Sequence, residues 1–212
     1  MKNKTWETIV KITFFGAIWG IIEATLGYAL HFLPALIAGS IMFPLVMFIL
    51  YHAYKSLGSR KAIILVGVVA IMIKATNLFL PLLNPAKAIN PMIAMFIQSL
   101  LAFAIMPMLN SEKVVQKVTG VVIASVSWRL VMVLYYAFNY ATTGFMDFRI
   151  ASFDPAFSFV VTEGLISAIF AIGLIYLTNP IKALSKLDKT RISPLISTAL
   201  LVIALVLTLV KF

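Results

Sequence analysis

Apolar stretches of about 20 residues follow one another along this chain, separated by short polar links. A helix of roughly that length crosses the hydrocarbon layer of a membrane, which is about 30 Å thick. Hydrophobic residues make up 62% of the chain and charged residues 11%, so a soluble core could not bury the apolar surface. The sequence therefore predicts an all-α integral membrane protein. The expected spans are residues 8–33, 34–54, 61–83, 88–109, 115–139, 157–178 and 192–211.

The links are too short for a second domain, so residues 1–212 are expected to form one compact helical bundle. Eleven lysine and arginine residues lie on one side of the predicted spans and three on the other. The positive-inside rule then places the N-terminus in the cytoplasm of a multi-pass cell-membrane protein. Six spans remain an alternative to seven, because without a span at 192–211 the terminal Lys211 would also lie inside.

The sequence lacks the motifs of most soluble enzymes. It has no cysteine, which excludes disulfides and thiolate-bound metals. It contains no HExxH, G-x-S-x-G, P-loop or dinucleotide-binding motif. The net charge of +10 comes mostly from the links, where it orients a membrane protein. We therefore expect a protein that is not an enzyme and that binds no cofactor, metal ion or nucleic acid.

Four ionisable residues lie well inside the predicted spans, namely Glu23, Lys74, Arg129 and Glu163. Each would cost roughly 2.5–3.5 kcal/mol at the centre of a bilayer, so they are expected to face the protein interior. The predicted topology places them at mid-depth or in the outer half of the membrane. A polar pocket open to the outside follows from this placement. The alternative is that the four charges only form ion pairs that fix the register of the bundle.

Helical periodicity places further polar residues beside these charges. Arg129 is the first choice as a ligand contact, because its planar guanidinium can hold a carboxylate or phosphate with two parallel hydrogen bonds. Lys74 is the second choice. Aromatic residues within 135–148 predict either an interfacial belt or a lid that stacks on a ring. The candidate substrate-binding residues are Arg129, Lys74, Glu23, Glu163, His31, Asn77 and Tyr136.

Small residues recur at every fourth position of the first predicted helix, at Gly16, Gly20 and Ala24. This spacing allows another helix to approach closely. These three residues are therefore candidates for docking onto a partner subunit. The alternative is that they pack against a helix of the same chain.

The chain resembles the substrate-binding S components of energy-coupling factor (ECF) transporters, which import vitamins and micronutrients. The resemblance covers residues 1–180 and rests on the small, basic and very apolar chain, the predicted outer pocket and the segment Phe15-Gly16-Ala17-Ile18-Trp19-Gly20. It implies that six helices capture a substrate from outside. It also implies that small residues of the first helix dock onto a membrane T subunit, which two cytoplasmic ATPases drive.

The resemblance further implies a small organic ligand with an anionic or zwitterionic group. Nickel or cobalt is disfavoured, because the metal-specific members carry an early histidine and this chain begins Met1-Lys2-Asn3. One alternative function is a stand-alone transporter or channel in which Glu23 and Glu163 carry protons or ions. Another is an assembly or scaffold protein whose charges pair with a larger complex.

Overall fold

The computed structural model describes residues 2–30, 35–80, 84–178 and 191–210, and within these ranges every regular element is helical. The predicted pocket residue His31 and most of the basic link 179–191 lie outside the described residues. The α-helices are α1 (Lys2–Ala29), α2 (Ala35–Leu57), α3 (Arg60–Ala75), α4 (Ala86–Leu109), α5 (Val114–Thr143), α6 (Phe153–Phe157), α7 (Glu163–Thr178) and α8 (Pro194–Leu209).

Six helical segments are long and apolar enough to cross a membrane. This confirms the all-α class, and the six segments overlap the first six spans expected from the sequence. The six are Lys4–Gly27, Gly39–Leu57, Arg60–Phe79, Ala86–Leu109, Val114–Thr143 and Phe153–Leu177.

The last apolar helix is shorter than the others. α8 has 16 residues, and at about 1.5 Å per residue it is roughly 24 Å long, less than a hydrocarbon layer of about 30 Å. By length alone, α8 is therefore set apart from the six longer segments. Arg191, just before α8, lies 3.0 Å from Glu7 near the start of α1, and α8 contacts the 3₁₀ turn Thr76–Phe79 that follows α3. α8 thus runs beside α1 in the same direction.

Two glycines mark helix ends where the backbone reverses. Gly58 separates α2 from α3 with φ 64°, and Gly144 ends α5 with φ 73°. Both lie in the left-handed region, which glycine adopts without the steric penalty of a side chain. The N–H of Gly144 also donates to the backbone oxygen of Tyr140 at 2.9 Å, which satisfies one carbonyl of the last turn.

α2 lies at the centre of the bundle, in contact with α1, α3, α4 and α7. The other helices close around it, because α1 packs on α3, α3 on α4, α4 on α5 and α5 on α7. α8 lies outside this ring, mainly against α1. The side chains of Trp19, Phe43 and Met47 are fully buried between the helices.

One end of the bundle gathers most of the described basic side chains. Lys11 donates to the backbone oxygen of Ser56 at 3.0 Å, and Lys55 donates to Oδ1 of Asn110 at 2.6 Å. The start of α1 and the ends of α2 and α4 therefore lie together. We call this the basic end, and we call the opposite end, which carries segment 144–152, the loop end.

Candidate functional site

The site is centred on Arg129, which lies in the middle of α5. The side chain of Arg129 is 0% exposed. Its Nη1 donates to the backbone oxygen of Ser125 at 3.0 Å and lies 3.3 Å from the Ser125 hydroxyl. Its Nη2 donates to Oγ of Ser167 in α7 at 2.6 Å. Neutral groups thus accept the hydrogen bonds of a buried cation. No carboxylate of the described residues forms an ion pair with it.

Aromatic rings surround the Arg129 guanidinium. Its Cζ lies 4.5 Å from the ring centroid of Trp128 and 5.7 Å from that of Phe159. Trp128 stacks on Phe43 with centroids 6.2 Å apart and meets Phe159 edge-on at 5.8 Å. Such cation–π contacts are worth more when water is excluded. The rings hold the guanidinium in place and give the site flat apolar walls.

The acidic member of the site is Glu163, the first residue of α7, which is 5% exposed. It interacts electrostatically with Arg129 and with Arg149. A Cβ built on Gly39 of α2 would lie 3.5 Å from Oε2 of Glu163 and 3.6 Å from Nη2 of Arg129. The acid and the base therefore both border the Gly39 backbone. Glu163 and Arg129 form no direct ion pair with each other, although ion pairing among the four charges is the alternative to a pocket.

Two N–H donors of the site have no acceptor among the described residues. Nε of Arg129 and Nε1 of the adjacent Trp128 are both buried without a hydrogen bond. Leaving a buried donor unpaired costs about 1–3 kcal/mol, and more for a charged group. A bound molecule with acceptor oxygens would recover this free energy.

A π-helical turn, Ser158–Thr162, joins α6 to α7 and leads directly into Glu163. The N–H of Glu163 donates to the oxygen of Ser158, five residues back. Such turns inside α-helices are frequent at functional sites. Phe159 within this turn and Glu163 directly after it both approach Arg129. Periodicity alone does not indicate this turn, because the predicted span 157–178 assumes a regular α-helix.

Arg149, in the loop between α5 and α6, covers the loop end of the site. Its Nη1 lies 3.2 Å from both carboxylate oxygens of Asp147. Its Cζ lies 5.4 Å from the ring of Tyr136, 4.5 Å from Phe148 and 5.2 Å from Phe159. The predicted candidate Tyr136 is therefore in the site, whereas Arg149 was missed. The available signal was the acid and base at 147 and 149 within an aromatic stretch.

The other two charges of the predicted spans form a separate pair. Nζ of Lys74 in α3 lies 3.6 Å from Oε1 of Glu23 in α1, and their side chains are only 12% and 15% exposed. No hydrogen bond or ion pair between described residues connects this pair to Arg129. The prediction of one pocket lined by all four charges therefore needs correction. The reason is that α2 lies between the two pairs in the bundle.

Asn77 lies in the 3₁₀ turn after Lys74, toward the loop end. Its Oδ1 is buried and makes no hydrogen bond to a described residue. Asn90 of α4 accepts a hydrogen bond from the hydroxyl of Tyr135 at 3.0 Å. Among the described residues, no hydrogen bond joins Asn77 to Arg129.

The small residues of α1 face the interior of the bundle. A Cβ on Gly16 would lie 2.6 Å from Cβ of Val69, and one on Gly20 would lie 2.7 Å from Cδ1 of Ile73. α3 therefore occupies the surface that the sequence offered to a partner subunit, and Ala24 is half-buried. The structure favours the internal-packing alternative for Gly16 and Gly20, whereas docking on a partner subunit stays a prediction.

No group of three or more potential metal ligands occurs in the described residues. No family model, curated protein or solved structure matches the chain. Function is therefore inferred from the chemistry of the Arg129 site.

Proposed function

We propose that the protein is a membrane-embedded binding subunit that captures a small organic molecule carrying an anionic group. The observation that supports this most is the state of Arg129: it is 0% exposed, it has no ion-pair partner among the described residues and its Nε is unpaired. A cation buried in this way costs several kcal/mol, which a bound anion would offset. Arg129 is thus the residue most suited to hold the acidic group of a ligand.

The aromatic walls favour a ligand with a flat or apolar body. Trp128 and Phe159 lie beside the guanidinium, and Tyr136 lies nearer the loop end under Arg149. Binding sites for small molecules combine apolar surfaces of this kind with a few polar groups that fix orientation. A ring packed on Phe159 would leave its acidic substituent within reach of Arg129.

In the proposed orientation, the basic end of the bundle lies on the cytoplasmic side of the cell membrane, as the positive-inside rule requires. The site then lies under the loop end and receives its ligand from outside. As the resemblance to S components implies, uptake would need a separate T subunit and two ATPases. Because α3 covers Gly16 and Gly20, such a subunit would dock on another face of the bundle.

The test is affinity purification from the native membrane in mild detergent, with mass spectrometry of the retained proteins and small molecules. We expect one small organic acid to be retained by the wild type and lost from Arg129→Gln. Because Arg129 also bonds to Ser167, the matched control is Ser167→Ala, which removes the link between helices and keeps the cation.

Ser167→Ala is expected to keep the retained compound. Loss of the compound from both variants would show that Arg129 acts only in the structure of the bundle. A wild-type protein that retains no organic acid, and binds none from a panel of carboxylates, contradicts the proposed function. Recovery of a membrane subunit with ATPases would identify the importer.

A further inference from the structure

The space beside Gly39 in α2 is bordered by groups of opposite charge. Oε2 of Glu163 and Nη2 of Arg129 lie 3.5 and 3.6 Å from the position of a Cβ on this glycine. Both side chains are almost fully buried, yet no ion pair joins them within the described part of the chain. Two buried charges of opposite sign thus border the same space without forming an ion pair with each other.

We propose that this space receives the head group of a zwitterion, with its acidic group on Arg129 and its cationic group on Glu163. The inference rests on the proposed function and narrows its ligand class to compounds in which an ammonium or similar cation lies close to a carboxylate. An α-amino acid with a ring is the simplest example. The ring would pack on Phe159 and Trp128, which line the same guanidinium.

A zwitterion matches both buried charges of the site, whereas a ligand with a single charge matches only one of them. A simple anion would satisfy Arg129 but bring a second negative charge beside Glu163. A simple cation would satisfy Glu163 and meet the positive charges of Arg129 and Arg149, with which Glu163 interacts. Each such mismatch inside a protein leaves a buried charge without a partner, which is strongly unfavourable.

Gly39 is the specificity-determining residue in this arrangement. A methyl group here would stand at ordinary van der Waals distance from both charged side chains, so alanine makes no clash with the described residues. The same methyl group would occupy the space proposed for the head group. Gly39→Ala should therefore fold normally and bind poorly.

The experiment uses the full-length protein in detergent and three probes that share one ring. L-Phenylalanine is the zwitterion, 3-phenylpropanoate lacks the cation and 2-phenylethylamine lacks the anion; L-tryptophan and its two analogues form a second set. Binding is measured by calorimetry for the wild type, Gly39→Ala, Glu163→Gln and the control Gly173→Ala, whose added methyl group meets nothing within 4 Å. The compound retained during purification is identified in parallel.

We expect a zwitterion to bind at least tenfold more tightly than either singly charged analogue. Glu163→Gln should abolish the preference over the anion, and Gly39→Ala should weaken binding at least tenfold while Gly173→Ala does not. Equal binding of the zwitterion and the anion would overturn the inference and leave the proposed function standing. A retained compound without a cationic group would do the same. Failure of all probes together with an empty purified protein would count against both proposals.

Discussion

Nη2 of Arg129 donates a hydrogen bond of 2.6 Å to Oγ of Ser167, and this bond joins α5 to α7 inside the bundle. Ser125 reinforces the same junction, because its hydroxyl donates to the backbone oxygen of Gly164 at 2.7 Å. The site and the helix packing therefore share one guanidinium. Variants at the site therefore have to separate the proposed binding role of Arg129 from its structural role.

Ser167→Ala is expected to lower the free energy of unfolding by about 1.5–3 kcal/mol, the range for a hydrogen bond to a charged group. The guanidinium stays in place because Ser125 and the rings of Trp128 and Phe159 still hold it. Thermal unfolding in detergent measures the loss. Thr198→Ala, at an exposed position of α8, is the control and should leave stability unchanged. Equal stability of the two variants would contradict the structural role of the bond.

The pair between Glu23 and Lys74 is expected to support the fold rather than the ligand. Glu23→Gln leaves Lys74 unpaired in a mostly buried position and should cost about 3 kcal/mol of stability. Glu23→Gln with Lys74→Gln should recover most of the loss, because no buried charge remains. Ligand retention should be unchanged in the double variant. Loss of ligand from the double variant would show that Glu23 and Lys74 take part in ligand binding.

Gly16→Ala is expected to destabilise the bundle by about 1–3 kcal/mol, because the new methyl group would collide with Val69. A longer side chain, as in Gly16→Leu, should prevent folding. Gly173→Ala is the control, since its methyl group meets no atom within 4 Å. Yield and monodispersity after purification report the effect. A well-folded Gly16→Leu protein would show that this face is free for a partner.

Arg149→Gln is expected to speed ligand release several-fold with little change in stability. Arg149 covers the loop end of the site through contacts with Tyr136 and Phe159, and it is held by the partly exposed Asp147. Dissociation can be followed by the fluorescence of Trp128, which lies beside Arg129. Arg149→Lys keeps the charge without the planar group and should release at an intermediate rate. An unchanged rate in both variants would rule out a covering role.

The spans could be read from the sequence because hydrophobicity and helix length are local properties. The same holds for the inward placement of Arg129, since a charge in an apolar run has only one favourable environment. Which inward faces meet is a different matter. It depends on the order in which the helices pack, and the central position of α2 could not be derived from the residue pattern of any single helix.

Two features of the site were hidden for related reasons. The π-helical turn before Glu163 breaks the periodicity from which faces are predicted. Arg149 acts from a loop, and the conformation of a loop depends on the surfaces beneath it, here the rings of Tyr136 and Phe159. The acid and base at 147 and 149 mark Arg149 as a candidate, but its contacts and the π-helical turn could be found only from the packed structure.

The pairing of Glu23 with Lys74 has a consequence for how the chain is made. Translation adds roughly 5–20 residues per second, so several seconds separate the emergence of α1 from that of α3. During that interval the carboxyl group of Glu23 has no basic partner from α3 and is unfavourable in lipid. The pair therefore favours insertion of α1 together with α3 over insertion of α1 alone, because Lys74 then neutralises the buried Glu23.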